Sequence, residues 1–101
     1  MAPASSVLCS CRPRFQAGKL LMTPSVRDLV EQGTINLKDY LRRHLDGDWG
    51  DVSPHDWQAN QDALRHGDRL FSAYQVTPDL RLWIITEAGG EATTALLPGE
   101  D

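Results

Sequence analysis

The sequence has few cysteines, no long apolar run and no excess of basic residues, and each shortage excludes a class of protein. Its longest apolar stretch, around residues 82–86, is far shorter than the roughly 20 residues that span a bilayer. With a net charge of −4, the chain lacks the clustered Lys and Arg of a broad phosphate-binding surface. We therefore expect a soluble protein without membrane contact, for which nucleic acid is an unfavoured partner.

The only thiols, Cys9 and Cys11, are too close together for an ordinary structural disulfide and too few for a four-ligand zinc site. They lie in residues 1–14, which show no apolar periodicity and no secretory signal pattern. We expect a disordered leader over these residues, a single domain over residues 15–98, a tail at residues 99–101 and a cytoplasmic location. No cofactor or metal is predicted.

Local signals predict three helices in the first two thirds of the domain. Thr23-Pro24 and Ser53-Pro54 each combine an N-cap side chain with a proline suited to the first helical position. Between them, Asn36 precedes apolar residues at helical spacing and is expected to cap a further helix. In chain order, the three helices are expected to end at Gly33, Gly47 and Gly67.

From Arg69 onward the apolar pattern has a period of two, which is typical of strands. Turns at Pro78-Asp79 and at residues 88–90 divide this part into three strands, and the apolar end of residues 15–22 adds a short edge strand. The predicted fold class is α+β. About three N-terminal helices pack on one face of a three- to four-stranded antiparallel sheet, as a two-layer sandwich.

The second of these strands has two faces of different character. Leu82 and Ile84 share a face with other apolar residues, whereas Trp83 shares its face with Arg81 and Glu87. We expect Leu82 and Ile84 to meet the helices and Trp83 to lie on the open face of the sheet.

Three carboxylates, two glycines and Trp49 fill the connection over residues 45–52. A calcium loop counted from Asp46 fails, because its fifth and twelfth positions would be Gly50 and Trp57. Two interpretations remain: carboxylates that cap backbone amides beneath a tryptophan at the core edge, or a loop that binds another protein.

His44 lies on the apolar stripe of the second predicted helix, where we favour a hydrogen-bonded core histidine over a catalytic one. His55 and His66 share a face of the third helix, but at roughly 16 Å apart they cannot ligate one metal ion. Asn60 also points inward, and its amide is expected to bond the 45–52 connection or a strand end.

Several short motifs occur in a recognisable order: Gly47–Asp51, Ser72–Tyr74, Trp83–Glu87, Thr93-Thr94 and Leu96–Pro98. This string resembles a family of small uncharacterised bacterial proteins described as plasmid-related or mobile-element-associated. The resemblance covers residues 15–98 and implies no activity, cofactor or catalytic residue. Where members of the family carry an acidic-basic pair in the last hairpin, this chain has Gly89-Gly90-Glu91.

The element order alone is similar to that of metal-independent ribonucleases of the barnase, colicin and toxin type. Such an enzyme would need a general acid or base and a phosphate-stabilising arginine across the open sheet face. The nearest candidates are His44, Arg69, Ser72 and Tyr74.

The sequence has aromatic and polar side chains but no recognisable set of catalytic residues. This favours a non-catalytic protein-interaction module, with the ribonuclease as the alternative. The expected partner is another protein, bound by the open sheet face or the Trp49 loop. The candidate binding residues are Trp49, Asp48, Asp51, Arg81 and Trp83.

Overall fold

The computed structural model describes residues 15–100, so the predicted leader and its two cysteines lie outside the described residues. The helices are α1 (Pro24–Glu31), α2 (Leu37–Leu45) and α3 (Pro54–His66). The strands are β1 (Lys19–Met22), β2 (Leu70–Thr77), β3 (Leu80–Thr86) and β4 (Ala92–Leu96), with a 3-10 turn at Ala88–Gly90. The expected α+β fold with three helices is confirmed. None of the helices in residues 15–100 combines the length and the apolar character that crossing a membrane requires.

The helix ends follow the local sequence signals in most cases. The Thr23 hydroxyl accepts a hydrogen bond from the N–H of Val26, and the Ser53 hydroxyl accepts one from the N–H of Asp56. Gly67 ends α3 with a φ of 73°, a left-handed conformation that favours glycine. Asn36 is the exception. It precedes α2 without capping it, because its amide donates to the Asp39 carboxylate instead.

The sheet has the order β1-β4-β3-β2 and is mixed, so the prediction of an antiparallel sheet is wrong. The strands β2, β3 and β4 form an antiparallel meander, as expected. β1 lies at the edge and pairs in parallel with β4, which aligns Lys19 with Ala92 and Met22 with Ala95. Parallel pairing requires a long connection, and the chain between β1 and β4, with three helices and two strands, provides it.

One face of the sheet packs against the helices. Leu82, Ile84 and Tyr74 from the sheet join Val26 and Ile35 from the helical part in a buried apolar cluster. Leu82 and Ile84 are both fully buried there, so their predicted orientation is confirmed. A second cluster joins Trp49, Ala63 and Leu70 near the start of β2.

The opposite face of the sheet carries its own apolar rows, which we call the open face. The strand pairing places Phe71, Ile85 and Thr94 side by side, and beside them Ala73, Trp83 and Leu96. None of these six residues belongs to either cluster that contains helix residues. Ala73, Ile85 and Leu96 are buried in this layer, and within residues 15–100 its partly exposed members are Phe71, Trp83 and Thr94.

The outer edge of β2 is occupied by the preceding segment. The Asn60 amide donates to the carbonyl of Phe71 (2.7 Å), and its carbonyl accepts from the N–H of Phe71 (3.1 Å). The peptide group of Ala73 bonds to Trp49 and Asp51 in the same way. The structural role expected for Asn60 at a strand end is thus confirmed.

Candidate functional site

A chain of hydrogen-bonded side chains runs through the core between α2 and the sheet. His44 on α2 bonds through Nδ1 to the Ser72 hydroxyl on β2 and through Nε2 to Thr86 Oγ1 on β3 (2.9 Å). Thr86 bonds to Thr93 on β4 (2.7 Å), and Thr93 bonds to the carbonyl oxygen of Ala17 (2.8 Å). His44, Ser72, Thr86 and Thr93 are all buried. This buried chain links α2, three strands and the segment before β1.

The directions of these hydrogen bonds follow from counting protons. The Thr93 hydroxyl donates to the Ala17 carbonyl, which can only accept, so Thr86 must donate to Thr93. His44 must then donate from Nε2 to Thr86, and its Nδ1 accepts from Ser72. The geometry therefore assigns a proton to Nε2 of His44, and Nδ1 accepts from Ser72 when the ring is neutral.

Burial keeps this histidine neutral. It lowers the pKa of His44 from 6.5 to about 4, because a charged imidazole would lose its hydration. Burial likewise raises the pKa of Tyr74, whose hydroxyl donates to the carbonyl of Asp48 (2.6 Å). Within residues 15–100, every buried side-chain nitrogen and oxygen has a hydrogen-bond partner. The buried chain is thus a satisfied structural network, and the preference for a core histidine at His44 is confirmed.

The four ribonuclease candidates do not form one accessible site. His44, Ser72 and Tyr74 lie on the helix side of the sheet and are buried, so water and a phosphodiester cannot reach them. Arg69 is exposed and borders a hollow with Ile85 and Thr94 on the open face. Ser72 and Tyr74 point to the helix side, so these candidates do not lie on the open face across which such an enzyme was expected to act.

Trp49 is 0% exposed, so the expectation that it lies on a docking surface is wrong. Its ring stacks on Phe15 and meets the edge of His44, with centroid distances of 6.2 and 5.5 Å. The indole N–H donates to Gln61 Oε1 (3.2 Å). Phe15, distant in sequence, closes over the tryptophan, which explains why a residue in a short connection is buried.

The carboxylates of this connection have separate roles. Asp48 accepts from the Arg43 guanidinium and from the N–H of Gly50, and the hydrogen bond from Arg43 lowers the pKa of Asp48. The Asp51 side chain is exposed. Gly50 has a φ of 76°, and a Cβ there would lie 2.1 Å from the carbonyl oxygen of Ala73, so glycine is required. Within residues 15–100, no group of three His, Cys, Asp or Glu side chains is placed to hold a metal ion.

A cavity of about 220 Å³ lies beside the buried chain. Phe15, Leu64 and Leu70 form its apolar wall, Thr86 connects it to the hydrogen-bonded network, and Glu87 lies at its border. Its volume is below the range of about 300–1,000 Å³ that is usual for small-molecule sites. It is therefore too small to enclose a cofactor of ordinary size.

The open face brings together candidate residues that the sequence identified and others that it missed. Trp83 is half-buried there and packs edge-to-face against Phe71, with centroids 5.3 Å apart. Arg81 is exposed at one end of β3. Phe71 and Leu96 were not predicted to belong to this surface. The pairing of β2, β3 and β4 puts Phe71 and Leu96 on the same face as Trp83, and this register is visible only in the folded sheet.

Comparison with family models, with curated proteins and with solved structures gives no match for this chain. The resemblance to plasmid-related bacterial proteins therefore stays a prediction.

Proposed function

We propose that this protein is a non-catalytic protein-interaction module whose docking surface is the open face of the sheet. The observation that carries the proposal is the Phe71 and Trp83 pair, two half-buried aromatic rings in an apolar layer that helix residues do not join. Aromatic residues and arginines are enriched at the centres of protein interfaces. Trp83 is the proposed anchor.

The charges around the open face indicate the chemistry of the partner. Arg69 and Arg81 border the apolar rows at opposite ends, although the chain as a whole has a net charge of −4. Within residues 15–100, the two ion pairs of the structure use neither of these arginines. Arg69 shares the lining of one hollow with Glu87, so we propose a partner surface with an apolar centre and a carboxylate that faces Arg81.

A hollow in the open face offers a place for one partner side chain. It measures about 270 Å³, and Ile85, Leu96, Thr94 and Arg69 are among the residues that line it. Its lining combines apolar residues with Arg69, Glu87 and Glu100, so it suits an aliphatic or aromatic side chain and does not select the sign of a neighbouring charge. Of the other predicted binding residues, Asp48 is engaged by Arg43, and Asp51 lies beside the β2 edge rather than among the rows.

The test is affinity capture from host lysate with wild-type protein and two charge-reversed variants, followed by identification of the captured proteins. Arg81→Glu removes a proposed contact, whereas Arg42→Glu makes the same charge change at an exposed site on α2. Both variants should keep the wild-type stability to within about 0.5 kcal/mol, because they alter exposed side chains. We expect a partner that Arg42→Glu retains and Arg81→Glu loses.

The captured partner is then purified and titrated against the same proteins. Binding should weaken by about tenfold or more with Arg81→Glu and with Trp83→Thr, a substitution that preserves strand propensity. A partner that binds both variants as tightly as it binds wild-type protein would remove the open face from the proposal.

A further inference from the structure

The outer edge of β1 is unusually apolar for an exposed strand. Leu20, Leu21 and Met22 are exposed by 57%, 47% and 43%, and together they make up most of the strand. The N–H of Lys19 bonds to the carbonyl of Glu91, just before β4, and the N–H of Thr23 bonds to the carbonyl of Ala95 on β4. Because peptide groups alternate sides along a strand, those of Leu20 and Met22 point away from the sheet.

We propose that β1 pairs antiparallel with β1 of a second copy of this chain, about a two-fold axis at Leu21. In an antiparallel pair, two opposite residues exchange main-chain hydrogen bonds only when the peptide groups of both point towards the neighbouring strand. Leu20 therefore lies opposite Met22 of the second copy, and Met22 lies opposite its Leu20. Leu21 then lies opposite Leu21. This register pairs all three exposed apolar residues and exchanges four main-chain hydrogen bonds.

The charges at the ends of β1 favour a second copy as the occupant of this edge. In this register Lys19 lies opposite Thr23 of the second copy, and the two Lys19 side chains stay roughly 13 Å apart, four residues along the strand. The Thr23 hydroxyl donates to Glu100 Oε1 (2.8 Å). Each Lys19 ammonium therefore approaches Glu100 of the second copy.

The Lys19 and Glu100 side chains are on the same face of the sheet. Lys19 aligns with Ala92 and Leu21 with Thr94, so Lys19 shares the open face with Thr94. Glu100 and Thr23 border the hollow in that face together with Thr94. The N–H of Leu97 and the Thr23 hydroxyl both bond to the Glu100 carboxylate and lower its pKa, which keeps it ionised. The pairing thus makes two identical ion pairs, one on each side of the axis.

The resulting dimer has one continuous eight-stranded sheet. A two-fold axis perpendicular to the sheet puts the helices of both copies on one side and both open faces on the other. This association uses the β1 edge and leaves Trp83 and Arg81 uncovered, and it meets the proposed docking surface only where Thr23 and Glu100 border the hollow.

Sedimentation equilibrium from micromolar to millimolar protein tests the association. Wild-type protein should show a concentration-dependent monomer and dimer equilibrium. Leu21→Glu places two carboxylates face to face at the axis and should raise the dissociation constant by about tenfold or more. The matched control is Trp57→Glu, which changes an exposed apolar residue on α3 and should leave the dissociation constant unchanged. Circular dichroism establishes that each variant is folded.

A charge exchange tests the register itself. Lys19→Glu alone and Glu100→Lys alone each create two like-charged pairs and should be monomeric at concentrations where wild-type protein is dimeric. An equimolar mixture of the two variants restores two opposite-charged pairs, so it should form a heterodimer.

Three results would overturn the proposal. They are a wild-type protein that stays monomeric at millimolar concentration, a dimer that Leu21→Glu does not weaken, and a mixture of the two charge variants that fails to associate.

Discussion

On each face of the sheet, the side-chain types suggest one role and the positions of the residues suggest another. The helix side includes His44, Ser72 and Thr86, which look like catalytic groups, yet each is buried and hydrogen-bonded. The open face includes Phe71 and Trp83, which look like core residues, yet each remains partly exposed. Side-chain type therefore does not decide between structure and recognition in this fold. The position of each residue relative to the helices decides it.

The largest expected difference between the faces is in the free energy of unfolding that is lost when an apolar side chain is truncated. Ile84→Ala should lower the free energy of unfolding by about 2–5 kcal/mol, because it leaves a cavity in the helix-side cluster. Trp83→Ala on the open face should cost less, although it removes a larger side chain, because part of the ring is already in contact with water. Urea denaturation midpoints give both values. The reverse order would show that the open face is the better-packed side of the molecule.

A pH series probes the buried chain. The unfolded chain binds the His44 proton near pH 6.5, whereas the folded chain binds it only near pH 4. Between these values the unfolded state holds more protons, so stability falls as the pH is lowered through this window, by on the order of 3 kcal/mol. Above pH 6.5 this histidine makes no pH-dependent contribution.

Denaturation at several pH values measures this slope, and NMR of the His44 ring reports its protonation state. The ring should keep the signals of the Nε2 tautomer at a pH midway through the window. A His44 ring that is protonated there in folded protein would contradict the assignment of a neutral, desolvated group.

The smallest expected difference in stability is between substitutions of two neighbouring threonines on β4. Thr93→Val removes a hydroxyl that bonds both Thr86 and the carbonyl of Ala17, so it should cost about 1–3 kcal/mol. Thr94→Val makes the same change on the open face and should alter stability by less than about 0.5 kcal/mol. Thermal unfolding of the two variants compares them directly. Equal losses would mean that the buried chain contributes no more than an ordinary strand position.

Much of the fold was predictable because its signals are local. The cap and proline pairs at Thr23 and Ser53 specify helix starts within a few residues, and the alternation in β3 fixes which of Leu82 and Trp83 meets the helices. Such patterns need no knowledge of distant parts of the chain. The same reasoning identified Trp83 and Arg81 as open-face residues.

The features that sequence reasoning missed depend on contacts between distant segments. The parallel pairing of β1 with β4 joins residues more than seventy positions apart, and no local pattern encodes its direction. Trp49 is buried by Phe15, and Thr86 meets Thr93 only after β3 and β4 are in register. A polar residue in a strand gives no sign of which hydroxyl it will meet.

The hydrogen bonds of Asn60 have a consequence for how far the sheet can grow. A sheet with two available edges can add copies at both ends and extend without limit into a fibre. Here the peptide groups of Phe71 and Ala73 at the β2 edge are already occupied by Asn60, Trp49 and Asp51. Addition of a strand along this part of β2 is thereby blocked, so the proposed pairing through β1 would end at two copies instead of continuing into a fibre.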